Sequence, residues 1–339
     1  MANLRAGVVG GGVGASHAFA YARHPATDLV AVCDVNPAAF PRFYARAGLA
    51  PGSLREYTDY RQMLEAERLD LVSVATPDDY HVGPVVAAAE LGAKGVLCEK
   101  PVATSLADAD RIVAVSERIP VLVDHTRNSE PYYVEARRRV RDGALGRLSR
   151  IYAYSGGKRA MLFRNTTHQL GGVCFFAESD PVWVIAAFDQ GFEDYGTVYK
   201  GHGGKDPALD PGATLIVEFA NGVRALVSAS KGTPPGPRLD LMGTRGRIVV
   251  GERATEAWQS AEDEGELQPL PVTWAQGHAG ADLGERLIPG VDHLIRMVRE
   301  GEPSNSSPRA ARNVLEIILG ACRSQAQGMV PVKLPLPRS

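Results

Sequence analysis

The sequence predicts an α/β protein with two domains, a doubly wound parallel sheet followed by a domain built on a mainly antiparallel sheet. In the first 123 residues, short apolar runs alternate with segments of helical character. After Asp124, longer runs of alternating apolar and polar residues flank hairpin turns. A length of 339 residues fits two domains. We therefore predict domains at 1–123 and 124–339.

Five apolar runs are predicted as the parallel strands of the first domain. Because strands covered on both faces are apolar throughout, fully apolar runs favour a buried parallel sheet. The runs span 4–9, 29–33, 69–75, 95–98 and 120–123. The helices predicted between them span 13–23, the segment after Asn36, 82–91 and 106–118. Asn36 is placed as an N-cap, with Pro37 in the first helical turn.

Hairpin turns organise the second domain. Asn221-Gly222 joins the runs 214–220 and 223–230, and this dipeptide is the strongest short-range signal for a two-residue turn. A second hairpin is predicted from the runs 239–242 and 247–250, with its turn at 244–246. Helices are predicted at 132–142 and 310–327, and the turn-rich segment 201–211 is expected to be a mobile loop.

Composition excludes several classes of function. A formal net charge of -2 argues against a nucleic-acid-binding surface. No long uncharged apolar run is present, so no membrane partner is expected, and the N-terminus lacks the features of a secretory signal. The four cysteines form no C-x-x-C pair, which favours a reduced, cytoplasmic protein without a zinc cluster, and no metal is expected.

A glycine-rich turn after the first strand predicts a dinucleotide site. Residues 10–15 match G-x-G-x-x-[GA] between a strand and a helix, the context that this motif requires. Gly10 permits the tight turn, Gly12 lets the backbone approach a diphosphate, and Val13 opens the helix whose N–H groups face the phosphates. Asp34 ends the second strand, where its carboxylate can bind ribose hydroxyls and repel a 2′-phosphate. We therefore predict NAD as the cofactor, in preference to NADP.

Two further segments lie at the carboxyl ends of strands, where ligands bind in open α/β sheets. Thr76, Pro77 and His81 follow the third strand, and Glu99 and Lys100 follow the fourth. All five are predicted to contact the cofactor, with Lys100 at the level of a nicotinamide ring. Taken alone, a single His such as His81 is more often a capping or packing residue.

Together, the motifs GVVGGGVGASH, VAVCDVNP, VATPDDYH, LCEKPVA and THQLGG resemble the glucose-fructose oxidoreductase / inositol dehydrogenase / rhizopine catabolism (Gfo/Idh/MocA) family. The resemblance covers nearly the whole chain, and its most specific part is E-K-P after T-P-x-x-x-H. It implies an N-terminal Rossmann domain, a C-terminal domain with a large open-faced sheet, and a nicotinamide cofactor. It also implies homodimers or homotetramers that form through the C-terminal sheet, and a sugar or polyol substrate.

By this resemblance, Lys100 and His168 are the catalytic residues. Oxidation of a carbinol needs a group that removes the hydroxyl proton and stabilises charge on oxygen, which a perturbed lysine can do. The resemblance places an Asp where this chain has Arg164. This departure leaves three hypotheses open: a proton relay through His168 and Thr167, an anionic substrate held by Arg164, or a member that has lost turnover. Other expected substrate-binding residues are His125, Arg127 and Asn165.

The expected function is therefore NAD-dependent oxidation or reduction of a sugar, inositol or related polyol. One alternative is a redox-neutral, NAD-dependent enzyme that processes glycosides. A second alternative is a non-catalytic regulator that senses NAD or sugar, and the replaced Asp is the feature that favours it.

Overall fold

The computed structural model describes residues 2–199, 206–274 and 280–337 and confirms the predicted α/β class. The chain forms two compact units. Unit 1 contains Met1–Ser129 and Gly280–Arg312, and unit 2 contains Glu130–Ala279 and Asn313–Ser339. The sequence-based boundary assigns 280–312 to the second domain, whereas in the structure this segment packs within unit 1. Of the loop predicted at 201–211, residues 201–205 lie outside the described residues.

Unit 1 is built on a six-stranded parallel sheet with the order β3-β2-β1-β4-β5-β6. Its strands are β1 (Leu4–Val9), β2 (Thr27–Cys33), β3 (Arg55–Tyr57), β4 (Leu71–Val74), β5 (Gly95–Cys98) and β6 (Val121–Val123). Its helices are α1 (Gly14–Arg23), α2 (Phe40–Ala47), α3 (Tyr60–Glu67), α4 (Val82–Glu90), α5 (Leu106–Ser116) and α8 (Leu283–Glu300). All five predicted strands are present. The unpredicted edge strand β3 reads Arg-Glu-Tyr and therefore carries no apolar signal.

Helix α8 belongs to unit 1 because its apolar stripe enters the same core as the parallel sheet. Leu287, Val291 and Leu294 are fully buried within the cluster that contains β1, β4 and α1 side chains. The approach is close: a Cβ added to Gly95 on β5 would lie 2.7 Å from Cγ2 of Val298. Burial of such side chains, at about 1.5–3 kcal/mol each, explains why a segment distant in sequence joins this unit.

Unit 2 is built on a nine-stranded sheet with the order β14-β13-β12-β11-β7-β10-β9-β8-β15. All its strand pairs are antiparallel except β7 with β10. Its strands are β7 (Leu148–Gly156), β8 (Pro181–Phe188), β9 (Ala213–Phe219), β10 (Arg224–Ser230), β11 (Arg238–Gly243), β12 (Gly246–Gly251), β13 (Thr255–Gln259), β14 (Gln268–Leu270) and β15 (Val332–Lys333). Its helices are α6 (Pro131–Arg141), α7 (Thr166–Ala177) and most of α9 (Pro308–Ala326). Both predicted hairpins are confirmed as β9–β10 and β11–β12.

The two faces of the unit 2 sheet differ in exposure. On one face, alternate residues of each strand are buried, and α7 packs against β7, β10 and β11. On the other face, Ile185, Ile216, Leu226 and Tyr152 stand in register across β8, β9, β10 and β7 and remain half-buried or exposed. The predicted open-faced sheet is therefore confirmed.

Among the described residues, no helix combines the length and apolar character needed to cross a membrane.

Candidate active site

The glycine turn between β1 and α1 fits a dinucleotide diphosphate. Gly10 has a φ of 103°, and a Cβ there would lie 2.4 Å from the Ala75 carbonyl oxygen, so only glycine fits. At Gly12, by contrast, an added Cβ meets nothing within 4 Å, and the backbone is open to a ligand. Val13 stands at the N-cap of α1, whose first turn carries no acidic residue. Free N–H groups and the helix dipole therefore favour an anion here.

Asp34 is fixed beside this turn. One carboxylate oxygen accepts the Gly11 N–H at 2.7 Å and the other accepts the Asn36 N–H at 2.8 Å. These contacts hold the side chain at the end of β2, where the ribose is expected. Arg46 of α2 also reaches the turn and donates to the Gly12 carbonyl at 3.1 Å. Sequence reasoning missed Arg46, because only the packing of α2 brings it there.

The segments after β4 and β5 are joined by His81. Its side chain is fully buried, with Nδ1 2.9 Å from the Pro101 carbonyl oxygen and Nε2 3.0 Å from that of Thr76. Thr76 is half-buried and Pro77 is exposed at the end of β4. The structure thus gives His81 the role of fixing the segments that carry Thr76, Pro77 and Lys100.

Lys100 lies at the carboxyl end of β5 and is supported by a buried polar network. Lys100 and Glu99 are 6% and 8% exposed. The Glu99 carboxylate accepts the Lys100 backbone N–H at 3.2 Å, and its other oxygen lies 3.2 Å from Nε2 of His17. Nδ1 of His17 is 3.1 Å from the Ser73 hydroxyl, which contacts the Tyr21 hydroxyl at 3.1 Å. Sequence reasoning missed His17 and Ser73, although polar residues inside otherwise apolar elements were the available signal.

Burial and charge shift the pKa values of groups near Lys100. Burial, followed by the charge of Glu99, raises the pKa of Asp124 to about 7. Burial, followed by the charge of Lys100, lowers the pKa of His125 to about 3, so His125 is neutral at physiological pH. His17, Glu99 and Asp124 place possible metal-ligand atoms within 4.8 Å of one another, but the direct His17–Glu99 contact already joins two of them.

His125 and Arg127 occupy different environments. His125 is 3% exposed, and its Nδ1 lies 2.9 Å from the Ser306 hydroxyl. Arg127 is half-buried in the short helical segment that follows β6. The arrangement makes His125 part of the interior of unit 1.

Unit 2 brings Arg164, Asn165, Thr167 and His168 together at the start of α7. Asn165 occupies the N-cap position without a side-chain capping bond. The carboxylate of Asp210 accepts the backbone N–H groups of Phe163 and Arg164, both at 3.1 Å, and holds the preceding turn. Burial raises the pKa of Asp210 to about 6. Sequence reasoning missed Asp210, because nothing in its local pattern links it to Arg164.

The predicted site residues therefore form two groups. The cofactor residues, Lys100, His125 and Arg127 lie in unit 1, and the residues around His168 lie in unit 2.

A six-stranded parallel sheet with this glycine turn and a strand-end acid defines a dinucleotide-binding oxidoreductase of the Rossmann type. Comparison with known proteins agrees. Residues 4–124 match the model of an oxidoreductase family with an NAD-binding Rossmann fold, and residues 133–249 match the GFO/IDH/MocA C-terminal domain. The chain belongs to the GFO/IDH/MocA oxidoreductase family, and its cofactor is NAD.

Named relatives cover most of the chain. The rhizopine catabolism protein MocA of Rhizobium meliloti is 29% identical over 73% of this chain and 78% of its own length. Levoglucosan dehydrogenase of Pseudarthrobacter phenanthrenivorans is 26% identical over 77% of both chains. A solved structure of levoglucosan dehydrogenase in complex with NADH superposes with a TM-score of 0.79 at 20% identity, over 98% of this chain and 99% of that one. This structural likeness confirms the fold.

Proposed function

We propose that this oxidoreductase transfers a hydride between NAD and a carbinol carbon of a sugar, an inositol or a related polyol. The observation that carries the proposal is the buried Lys100 at the carboxyl end of β5, in the same sheet as the dinucleotide turn. The substrate class is supported by relatives that are named for levoglucosan and inositol.

Lys100 is proposed to accept the hydroxyl proton and to stabilise negative charge on the reacting oxygen. NAD, when bound, supplies the acceptor for the hydride. Lys100 is 6% exposed, so water does little to weaken an interaction between its side chain and the reacting oxygen. Glu99 and His17 hold the backbone that carries it, so they are proposed as positioning residues.

His168 is proposed as the second proton-transfer group. It lies in the first turn of α7 and is half-buried, whereas both neighbours in sequence are buried. An imidazole titrates near neutral pH and is the most frequent general acid–base group in enzymes. Because Arg164 replaces the Asp that the resemblance expects, His168 is the acid–base candidate of this segment.

The test is a spectrophotometric screen of polyols for NAD reduction by wild type, Lys100→Ala and Lys94→Ala. Lys94 is a matched control, since it is an exposed lysine of the same unit that pairs with Asp70. We expect Lys100→Ala to lower kcat by about a hundred- to ten-thousand-fold and Lys94→Ala to leave it unchanged. Normal turnover by Lys100→Ala would remove Lys100 from the mechanism.

The same screen separates the alternatives. Consumption of glycosides without net NADH would replace the dehydrogenase with a redox-neutral enzyme. Binding of NAD and sugar without turnover across the panel would favour a regulator.

We further propose that two copies of the chain associate through the open face of the unit 2 sheet. The in-register row of Ile185, Ile216, Leu226 and Tyr152 offers apolar area to a second copy. Flanking ion pairs, such as Glu218 with Arg224, place both signs of charge on the same face, which suits a self-complementary interface. Leu226→Glu should lower the mass measured by light scattering, whereas exposed Met329→Glu should not. A monomeric wild type would contradict the proposal.

We also propose a cytoplasmic location. All four cysteines are buried and free, as expected for a protein of a reducing compartment. Fractionation of the producing cell would test this.

A further inference from the structure

The start of α7 presents a small polar surface on an otherwise buried segment. From residue 160 to residue 177, every residue is buried except Arg164, Asn165 and His168. A guanidinium, an amide and an imidazole therefore make up the whole accessible surface of this segment. None of the three carries a negative charge.

The helix itself adds to the positive potential of this surface. Helix α7 is twelve residues long and has no acidic residue in its first turn, and no side chain caps its N-terminus. The N–H groups of Thr166 and His168 donate to the carbonyl oxygens of Met161 and Asn165, so the helix dipole is the feature of this end that attracts anions. Lys158 and Arg159, both exposed, precede the same turn and raise the local positive charge.

Two buried hydroxyls at this end provide independent support. Within the described part of the chain, Oγ1 of Thr166 and Oγ1 of Thr167 have no hydrogen-bond partner, although these residues are 0% and 1% exposed. A Cα–Cβ bond in a helix tilts toward the N-terminus, so both side chains lean toward the end that Arg164 precedes. Buried hydroxyls are normally hydrogen-bonded, and two unsatisfied donors at one helix end indicate a ligand with acceptor oxygens.

Asp210 does not cancel this potential at the surface. Its side chain is fully buried, and both carboxylate oxygens accept backbone N–H groups of the turn. Burial raises the pKa of Asp210, and the nearby positive charge of Lys231 lowers it, so Lys231 partly compensates the carboxylate charge. Asp210 thus fixes the direction of the backbone at Arg164, and its carboxylate is buried and not part of the exposed surface.

We propose that the substrate is a polyol that carries an anionic group, a carboxylate or a phosphate, and that Arg164 with the N-terminus of α7 binds this group. The inference rests on the proposed function and names the substrate class of the same site. A guanidinium matches the paired oxygens of either anion with two parallel hydrogen bonds. This position suits the selection of a substrate, because Arg164 lies only four residues before His168 in the same segment.

The test uses matched substrates and three variants. Neutral sugars and inositols are compared with aldonates, uronates and sugar phosphates of the same stereochemistry, so that the panel also separates the two anions. The variants are Arg164→Gln, Arg164→Asp and, as a control with the same loss of charge, Arg253→Gln on the exposed β12–β13 turn. Both kcat/KM and ligand affinity by calorimetry in the presence of NADH are measured.

We expect the wild type to prefer an anionic substrate over its neutral counterpart. Arg164→Gln should reduce kcat/KM for the anion by about 10- to 100-fold and reduce kcat/KM for the neutral counterpart by much less. Arg164→Asp should reverse the preference, and Arg253→Gln should change neither. Preference of the wild type for neutral polyols, or an equal loss on both substrates in Arg164→Gln, would overturn the inference while hydride transfer stands. Binding of the anion that depends on Arg164, without any oxidation across the panel, would support the inference and refute the proposed function.

Discussion

Asp124 makes the folding stability depend on pH in a direction opposite to that of most carboxylates. Its pKa rises from 3.8 in the unfolded chain to about 7 in the folded protein, because of burial and then the charge of Glu99. The folded protein therefore binds this proton more tightly than the unfolded chain does. The resulting stabilisation is complete below about pH 4 and is lost as the pH rises through about 7. The difference in pKa corresponds to at most roughly 4 kcal/mol.

Asp124→Asn removes the charge and keeps an acceptor for the Thr126 hydroxyl, which lies 3.3 Å away. We expect the variant to be about 1–3 kcal/mol more stable than wild type at about pH 8, and to match it within about 1 kcal/mol at about pH 5. Urea denaturation at both pH values measures the difference. Asp28→Asn, at an exposed position of the same unit, is the control and should show no pH-dependent difference. If Asp124→Asn proves less stable than wild type at the higher pH, or equally shifted at both, the reasoning is refuted.

Three other predictions concern unit 1. Glu67→Gln should lower the free energy of unfolding by about 2 kcal/mol at neutral pH, because Glu67 is 1% exposed and accepts hydrogen bonds from Arg5, Arg55 and Tyr57. Burial alone would raise the pKa of Glu67, but the hydrogen bonds and charges of these partners outweigh burial and lower it. The loss of unfolding free energy caused by the substitution, measured by urea denaturation, should therefore shrink as the pH falls below about 4. Gly10→Ala should lower the free energy of unfolding, measured by thermal unfolding, by about 2–4 kcal/mol, because the new side chain is strained and overlaps with Ala75. At Gly12 an added Cβ meets nothing within 4 Å, so Gly12→Ala should fold normally but bind NADH more weakly. Asp34→Ala should weaken the binding of NADH by about 1.5–3 kcal/mol and the binding of NADPH by less, as measured by fluorescence titration. A wild type that prefers NADPH would contradict the proposed contact between Asp34 and the ribose.

Much of unit 1 could be predicted because its signals are local. A fully apolar run indicates a buried strand, and the glycine motif predicts a dinucleotide site without knowledge of distant contacts. The position of helix α8, by contrast, could not be predicted from local signals. Its 18 residues alternate apolar and polar positions around Pro289, and nothing in that pattern tells which core the apolar stripe enters. Its place in unit 1 depends on long-range packing against β5 and α1.

The residues of the candidate site likewise divide into those that local motifs predict and those that only the folded structure reveals. Lys100 was predicted because it follows a strand in a recognisable motif. His17 and Ser73 were missed because they act through space, from α1 and β4, on the Glu99 carboxylate. Asp210 was missed for the same reason, since it meets the backbone of Arg164 from a segment 46 positions away in sequence. Motif spacing reports groups near one another along the chain, but support from other elements needs the folded structure.

The buried lysine also bears on whether turnover has been lost. Burial of an ammonium group costs free energy, and an apolar side chain of similar size at residue 100 would avoid this cost. The structure instead holds Lys100 at 6% exposure. A second buried cost comes from Asp124, whose pKa is raised by burial and then by the charge of Glu99. Lys100 offsets part of this cost, since its charge lowers the pKa of Asp124. The position of these groups at the carboxyl end of the sheet agrees with the proposed proton transfer by Lys100. It therefore supports the proposal of an active dehydrogenase over that of a member without turnover.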